Sequence, residues 1–169
     1  MRVFVSGLAC LLLFSAGSFA QDRPNFSGSY VLAWPKPEIR HGKTQRPSEL
    51  KVVQHGRVLK ATLTERAKTR TSTYYLDGTE SKNVAAGGAP SSDKATIKYS
   101  TLLIDSTVRL PKATLAIEQK WQLSPDSRHL IIQITATATA AAVDGFPMGS
   151  WENVYTRSVP KEPKTTIRR

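Results

Sequence analysis

The strongest constraint on the fold is a sustained period-two hydrophobic alternation toward the C-terminal end of the chain. Leu115, Ile117, Trp121 and Leu123 share one parity, and Glu118, Lys120 and Gln122 take the other. A period of two places one set on a buried face and the other in water, which describes a half-buried β-strand. Ser124-Pro125-Asp126-Ser127 then turns the chain, and Leu130, Ile132, Ile134, Ala136 and Ala138 repeat the pattern against Gln133, Thr135, Thr137 and Thr139. The small residues from Thr135 to Ala142 suit a helix by size. The alternating threonines oppose one, because β-branched side chains favour a pleated surface. A strand pair of this kind must cover its apolar face with more of the same sheet.

The rest of the chain supplies that sheet. Tyr30 to Trp34 reads as the first strand, stopped by Pro35 and Pro37, and residues 35–48 read as loop. Leu50 to Gln54 and Val58 to Thr64 flank a tight turn at His55-Gly56, where glycine supplies the positive φ of a two-residue hairpin. Thr69 to Leu76 and Thr79 to Val84 flank Asp77-Gly78, which predicts a second hairpin. Residues 85–92 read as a flexible loop, followed by Lys94 to Tyr99 and Leu102 to Arg109. After the hairpin already described, Val143 to Gly149 reads as loop and Trp151 to Arg157 as a closing strand. The sum is about nine or ten short strands, joined mainly by tight turns, with no helix. Sequential hairpins make an antiparallel up-and-down meander, whose two edges stay exposed unless it curls and closes. The expected fold is therefore all-β: a barrel of about eight to ten strands, with a two-sheet β-sandwich as the alternative.

The N-terminus points to export. Met1-Arg2 is charged, Val3 to Phe14 is almost wholly apolar, and Ser15 to Ala20 is rich in small residues. These are the three parts of a secretory signal peptide, with cleavage expected after Ala20. The apolar run falls short of the roughly 20 residues that a bilayer-spanning helix needs. The expected organisation is a signal peptide at 1–20, one β domain at 21–157 and a disordered basic tail at 158–169. The expected destination is the periplasm or the cell exterior, without a membrane span. Cys10, the only cysteine, lies inside the signal, and lipid attachment there would leave an apolar run on the mature end. The mature chain then has neither disulfide nor thiolate chemistry. It must hold together by packing, which a chain of this size achieves by burying roughly 68–70% of its unfolded surface.

Charge sets the expected surface. Loss of Arg2 with the signal leaves 23 Lys+Arg of the original 24 against 13 Asp+Glu, a net +10. A basic exterior suits an anionic envelope surface, or is simply the solvated face of an exported protein. The positive residues are scattered, and only Lys161, Lys164, Arg168 and Arg169 are dense.

Three segments carry a family resemblance. Asn25-Phe26-Ser27-Gly28-Ser29-Tyr30-Val31-Leu32 opens the domain, Tyr74-Tyr75-Leu76-Asp77-Gly78-Thr79-Glu80 makes a hairpin motif, and Trp121-Gln122-Leu123-Ser124-Pro125-Asp126 makes another, closed later by Val154-Tyr155-Thr156-Arg157. In order and spacing they resemble the lipocalin-like exported proteins of bacteria, which are calycin-type barrels. Tyr30 stands where that pattern has tryptophan, and Ser127 replaces a turn glycine. The resemblance implies a barrel and the binding of an apolar ligand. It carries over no catalytic residue.

The chemistry-bearing residues do not assemble into a catalytic or metal motif. The three histidines, His41, His55 and His129, are 14 and 74 residues apart, unlike the short spacings of a zinc site. No Gly-x-Ser-x-Gly elbow and no phosphate-binding Gly-rich loop occurs. The acidic residues offer many possible glycosidase pairs and single out none. No cofactor is expected.

Aromatic residues remain. Trp34, Tyr74, Tyr75, Tyr99, Trp121, Trp151 and Tyr155 fall in or at the ends of predicted strands. In a closed barrel alternate rings face inward, either filling it or lining a cavity together with small residues such as Ala136, Ala138 and Ala140. Trp34, Tyr75, Tyr99, Trp121, Trp151 and Tyr155 form the candidate ligand-binding set. A single-strand nucleic-acid platform also combines rings with basic residues, but no RNP-type motif is present, and nucleic acid is not an expected partner. The leading expectation is a non-enzymatic barrel that binds a small apolar or amphipathic ligand. The alternative is a structural or interaction protein of the envelope, with a filled barrel and a basic surface that docks on anionic partners.

Overall fold

The computed structural model describes residues 23–34, 39–40, 43–44, 48–65, 67–139 and 148–158. The expected signal peptide, Ala140, and all but Ser158 of the expected tail lie outside these residues. The strands are β1 (Gly28–Trp34), β2 (Ile39–Arg40), β3 (Lys43–Thr44), β4 (Glu49–His55), β5 (Val58–Glu65), β6 (Lys68–Tyr75), β7 (Asp77–Val84), β8 (Pro90–Lys98), β9 (Thr101–Arg109), β10 (Thr114–Leu123), β11 (His129–Ala138) and β12 (Gly149–Arg157). Ten of them form one antiparallel sheet in the order β6-β5-β4-β1-β12-β11-β10-β9-β8-β7. β1 and β12 pair in the middle of this sheet, Tyr30 with Arg157 and Leu32 with Tyr155, and its edges β6 and β7 come together, so the sheet curls into a nearly closed barrel. The expected all-β barrel is the fold observed.

The β10–β11 hairpin keeps the predicted parity of inward and outward residues. Trp121 faces Ile132 directly, both buried, while Lys120 and Gln133 pair on the exposed face. The missing turn glycine at Ser127 is tolerated at φ +55°. Asp126 holds this turn by accepting from the Ser124 hydroxyl at 2.6 Å and from the Arg128 N–H at 3.1 Å.

Four expectations need correction. Residues 35–48 were expected as loop, but contain a two-stranded ribbon in which Ile39 pairs with Thr44 and Arg40 with Lys43. The turn after β4 is Gly56-Arg57, with Gly56 at φ +57° supplying the positive angle. The expected loop at 85–92 ends early: Ala86–Gly88 is a single 3₁₀ turn, and β8 already begins at Pro90. Most consequential is Asp77-Gly78, which reverses the chain without making a hairpin. β6 pairs with β5 and β7 with β8, so β6 and β7 are the two edges of the sheet. The corner is instead drawn into the core: Leu76 is buried, and its N–H bonds the Arg57 carbonyl at 2.8 Å.

At the corner end the barrel is filled. Phe26, Tyr30, Leu59, Leu102, Ile104 and Leu130 are buried there or on the adjoining strand segments. The chain before β1 seals this end. The Phe26 N–H donates to Gln54 Oε1 at 3.0 Å, and the Tyr30 hydroxyl donates to the Phe26 carbonyl at 2.9 Å. From β12, Arg157 donates to that hydroxyl at 3.0 Å, with its guanidinium carbon 5.3 Å from the centre of the Tyr30 ring.

Candidate functional site

Along the same strands, away from the plug, in-facing side chains become smaller and more polar, and a cavity opens. Its larger part is about 210 Å³ and its smaller part about 90 Å³, both lined by Arg70, Ser72, Tyr74, Gln119 and Ile134. Strands β9 to β12 give a mainly apolar wall, Val108, Ile117, Ile134, Ala136 and Trp151, interrupted by Ser106 of β9 and Gln119 of β10. From β6 and β8 the lining carries Arg70, Ser72, Ser91 and Asp93, and Val84, Ala85 and Ala86 complete it. Trp121, Asn153 and Tyr155 line the smaller, deeper part.

The edges β6 and β7 meet beside this polar lining without a backbone ladder. Asn83 of β7 bridges them: its Oδ1 accepts from the Thr73 N–H at 2.8 Å, and its Nδ2 donates to the Thr73 carbonyl at 2.9 Å. One side-chain amide thus gives Thr73 the two bonds that a neighbouring strand would give. The same Nδ2 donates to Asp93 Oδ2 at 2.7 Å, and the Ser91 hydroxyl donates to that oxygen at 3.1 Å.

Of the candidate rings, Trp121, Trp151 and Tyr155 line the cavity. Tyr75 and Tyr99 do not. Tyr75 is 40% exposed on the outer face of β6, because its neighbour Tyr74 takes the inner position. Tyr99 is 73% exposed at φ +57°, in the tight turn between β8 and β9, where no inward face exists. The backbone of Trp34 pairs with Val154. Ala136 lines the cavity.

Sequence reasoning missed Tyr74, Arg70, Asp93 and Gln119. Tyr74 packs edge-on to Trp121 at 6.5 Å between ring centres, and the Trp121 indole N–H donates to Gln119 Oε1 at 3.0 Å. Burial pushes the Tyr74 hydroxyl up to about 12, and burial likewise raises Tyr155 to about 12, so both remain neutral donors across ordinary pH. Among the described residues no group of three or more His, Cys, Asp or Glu is placed to hold a metal ion. What the cavity offers is shape, a mainly apolar wall, and buried polar groups.

No protein-family model matches the chain, and no curated protein matches it in sequence. Solved structures share the fold. The REP1-NXSQ fatty acid transporter superposes with a TM-score of 0.57 at 8% identity, over 80% of this chain and 98% of that one. Apo lipid binding protein 8 of Caenorhabditis elegans gives 0.57 at 8% identity, over 79% and 95%. Zebrafish ileal bile acid-binding protein complexed with cholic acid gives 0.50 at 17% identity, over 78% and 95%. Topology and likeness together define an antiparallel β-barrel of ten strands, the fold shared with these solved structures. At such identities the likeness establishes the fold.

Proposed function

We propose that this protein is a non-enzymatic binding barrel that takes a small amphipathic ligand into its half-hollow interior. The observation that carries this reading is the cavity itself: a mainly apolar wall from Val108 to Trp151 together with buried polar groups, beside a barrel end that is packed solid. The names of the similar structures, a fatty acid transporter and lipid- and bile acid-binding proteins, agree with that use. Its size favours a small guest, since about 210 Å³ lies below the roughly 300–1,000 Å³ of drug-sized pockets.

Titration of the protein with eight-carbon amphiphiles, read by tryptophan fluorescence, tests the reading. Trp151 and Trp121 both line the cavity, so saturable change is expected. Ala136→Leu places extra carbon in the same space and should abolish the response while leaving the protein folded. Equal responses from both proteins would mean that the ligand sits elsewhere.

We further propose that residues 1–20 are a signal peptide, that 21–157 is the exported domain, and that 158–169 is a basic tail. Mass spectrometry of the mature protein should find its first residue at Gln21. A chain beginning at Met1, or lipid on Cys10, refutes this. A second role is favoured by the outer strand faces, where Lys51, Lys60, Lys94, Lys98 and Lys120 are all exposed. Docking on an anionic surface through them should weaken steeply as salt shortens the Debye length to about 3 Å at 1 M.

A further inference from the structure

Two opposite charges face this cavity without pairing with each other. Asp93 is 3% exposed, yet no lysine or arginine among the described residues lies within ion-pair distance of it. Its Oδ2 is occupied by Asn83 and Ser91. Its Oδ1 has no hydrogen-bond partner among the described residues and is not sealed from the cavity that Asp93 lines. Burying a carboxylate in this way is costly unless something of positive charge or a strong donor reaches it. Arg70 lines both parts of the cavity from β6, across the seam, and also makes no ion pair with a described residue. Both charges also reach the Tyr74 hydroxyl: beside the larger effects of burial and a Ser72 hydrogen bond, Asp93 raises its pKa and Arg70 lowers it. The cavity therefore has a separated positive and negative pole beside one apolar wall.

We infer that the ligand is a small zwitterion, with an ammonium group at Asp93, an anionic group at Arg70 and a short apolar body against Ile117, Ile134 and Trp151. The inference rests on the binding-barrel reading above and narrows it to one class of head group. An anion alone would leave buried Asp93 unmatched, and a cation alone would leave Arg70, half-buried on the cavity lining, without a partner. A bound zwitterion satisfies both, and charge-assisted hydrogen bonds are about twice as strong as neutral ones.

Calorimetric titration of the full chain with 2-aminooctanoate, octanoate and octylamine separates the possibilities, because the three share a chain length and differ in the head. The zwitterion should bind at least about tenfold more tightly than either singly charged probe. Asp93→Asn should bring it to the level of octanoate, and Arg70→Gln to the level of octylamine. Arg70 is only half-buried, so its variant leaves the core intact and decides the matter even if Asp93→Asn fails to fold. Equal affinities for all three probes, or an Arg70→Gln effect common to all three, would overturn the zwitterion and leave the binding barrel standing. Failure of all three to bind saturably would overturn both.

Discussion

Replacing Asn83 with alanine should open the barrel at its weakest line. Asn83 is the hydrogen-bonding bridge between the β6 and β7 edges, with bonds of 2.8 and 2.9 Å to the Thr73 peptide groups and 2.7 Å to the Asp93 carboxylate. A neutral hydrogen bond contributes about 0.5–1.5 kcal/mol net and one to a charged group about 1.5–3. The truncation also leaves the Thr73 N–H and one partner site on Asp93 unsatisfied, while water reaching this part-buried line offsets some of the loss. The expected cost is about 3–5 kcal/mol, a large share of the about 5–15 kcal/mol typical of a domain. Urea unfolding should show a lower midpoint at unchanged slope, and amide exchange at Thr73 should accelerate more than at Ile104 in the middle of β9. Asn83→Asp should be worse at neutral pH, since it sets a second carboxylate beside Asp93, and should recover as acid protonates one of the pair. A loss below about 1 kcal/mol for the alanine variant, with Thr73 still protected, would refute the idea that this side chain closes the barrel.

The remaining predictions concern the core and its titration. Trp121→Ala should cost about 3–5 kcal/mol and Ile132→Ala about 2–5, read by denaturant unfolding, while Lys120→Ala and Gln133→Ala on the opposite face should stay within about 0.5. Comparable effects on both faces would show that the inward set is wrong. Alkali should destabilise the protein between pH 10 and 12, because Tyr74 and Tyr155 ionise near 10.0 when unfolded and at about 12 when folded. A raised folded pKa contributes stability that is complete below the unfolded value and lost as pH rises through the folded one, here about 3 kcal/mol per tyrosine. Tyr74→Phe should flatten that loss by about half, and an unchanged pH profile would show that Tyr74 is not the titrating group.

The sequence made some of this legible and hid the rest for a physical reason. Strands β10 and β11 were readable because each has one face on the core and one in water, so Leu115, Ile117, Trp121 and Leu123, and Leu130 to Ala136, alternate with outward residues, Gln119 being the polar exception on the inner face. Strands β6, β7 and β8 carry Arg70 and Ser72, Ser81 and Asn83, Ser91 and Asp93 on their inward faces, and polar residues there look like solvent faces. Tyr74 and Tyr75 illustrate the difficulty: two adjacent rings must point to opposite sides, and the only local clue was Leu76, which shares the parity of Tyr74 and is buried with it. Asp77-Gly78 was correctly a reversal, with Gly78 at φ +86°, but turn chemistry does not specify whether a ladder follows it.

The hidden polar residues and the missing ladder have a common cause. A barrel that closes by hydrogen bonds all the way round satisfies its backbone from neighbouring strands and is free to fill with apolar side chains. This one leaves two edges facing each other along a part-buried line, and their N–H and C=O groups need partners there. Asn83 provides those partners for Thr73, and Asp93 with Ser91 and Ser81 holds Asn83 in position. The inward carboxylate is thus part of what closes the sheet, and it brings charge into the interior as a consequence. Across β9 to β12, where the ladder is continuous, much of the interior is apolar. The amphipathic character of the cavity follows from where the sheet fails to pair, so a ligand that bonds Asp93 also acts on the seam. Its binding should slow amide exchange at Thr73 while leaving Ile104 unchanged, and an equal effect on both would mean that ligand and seam are uncoupled.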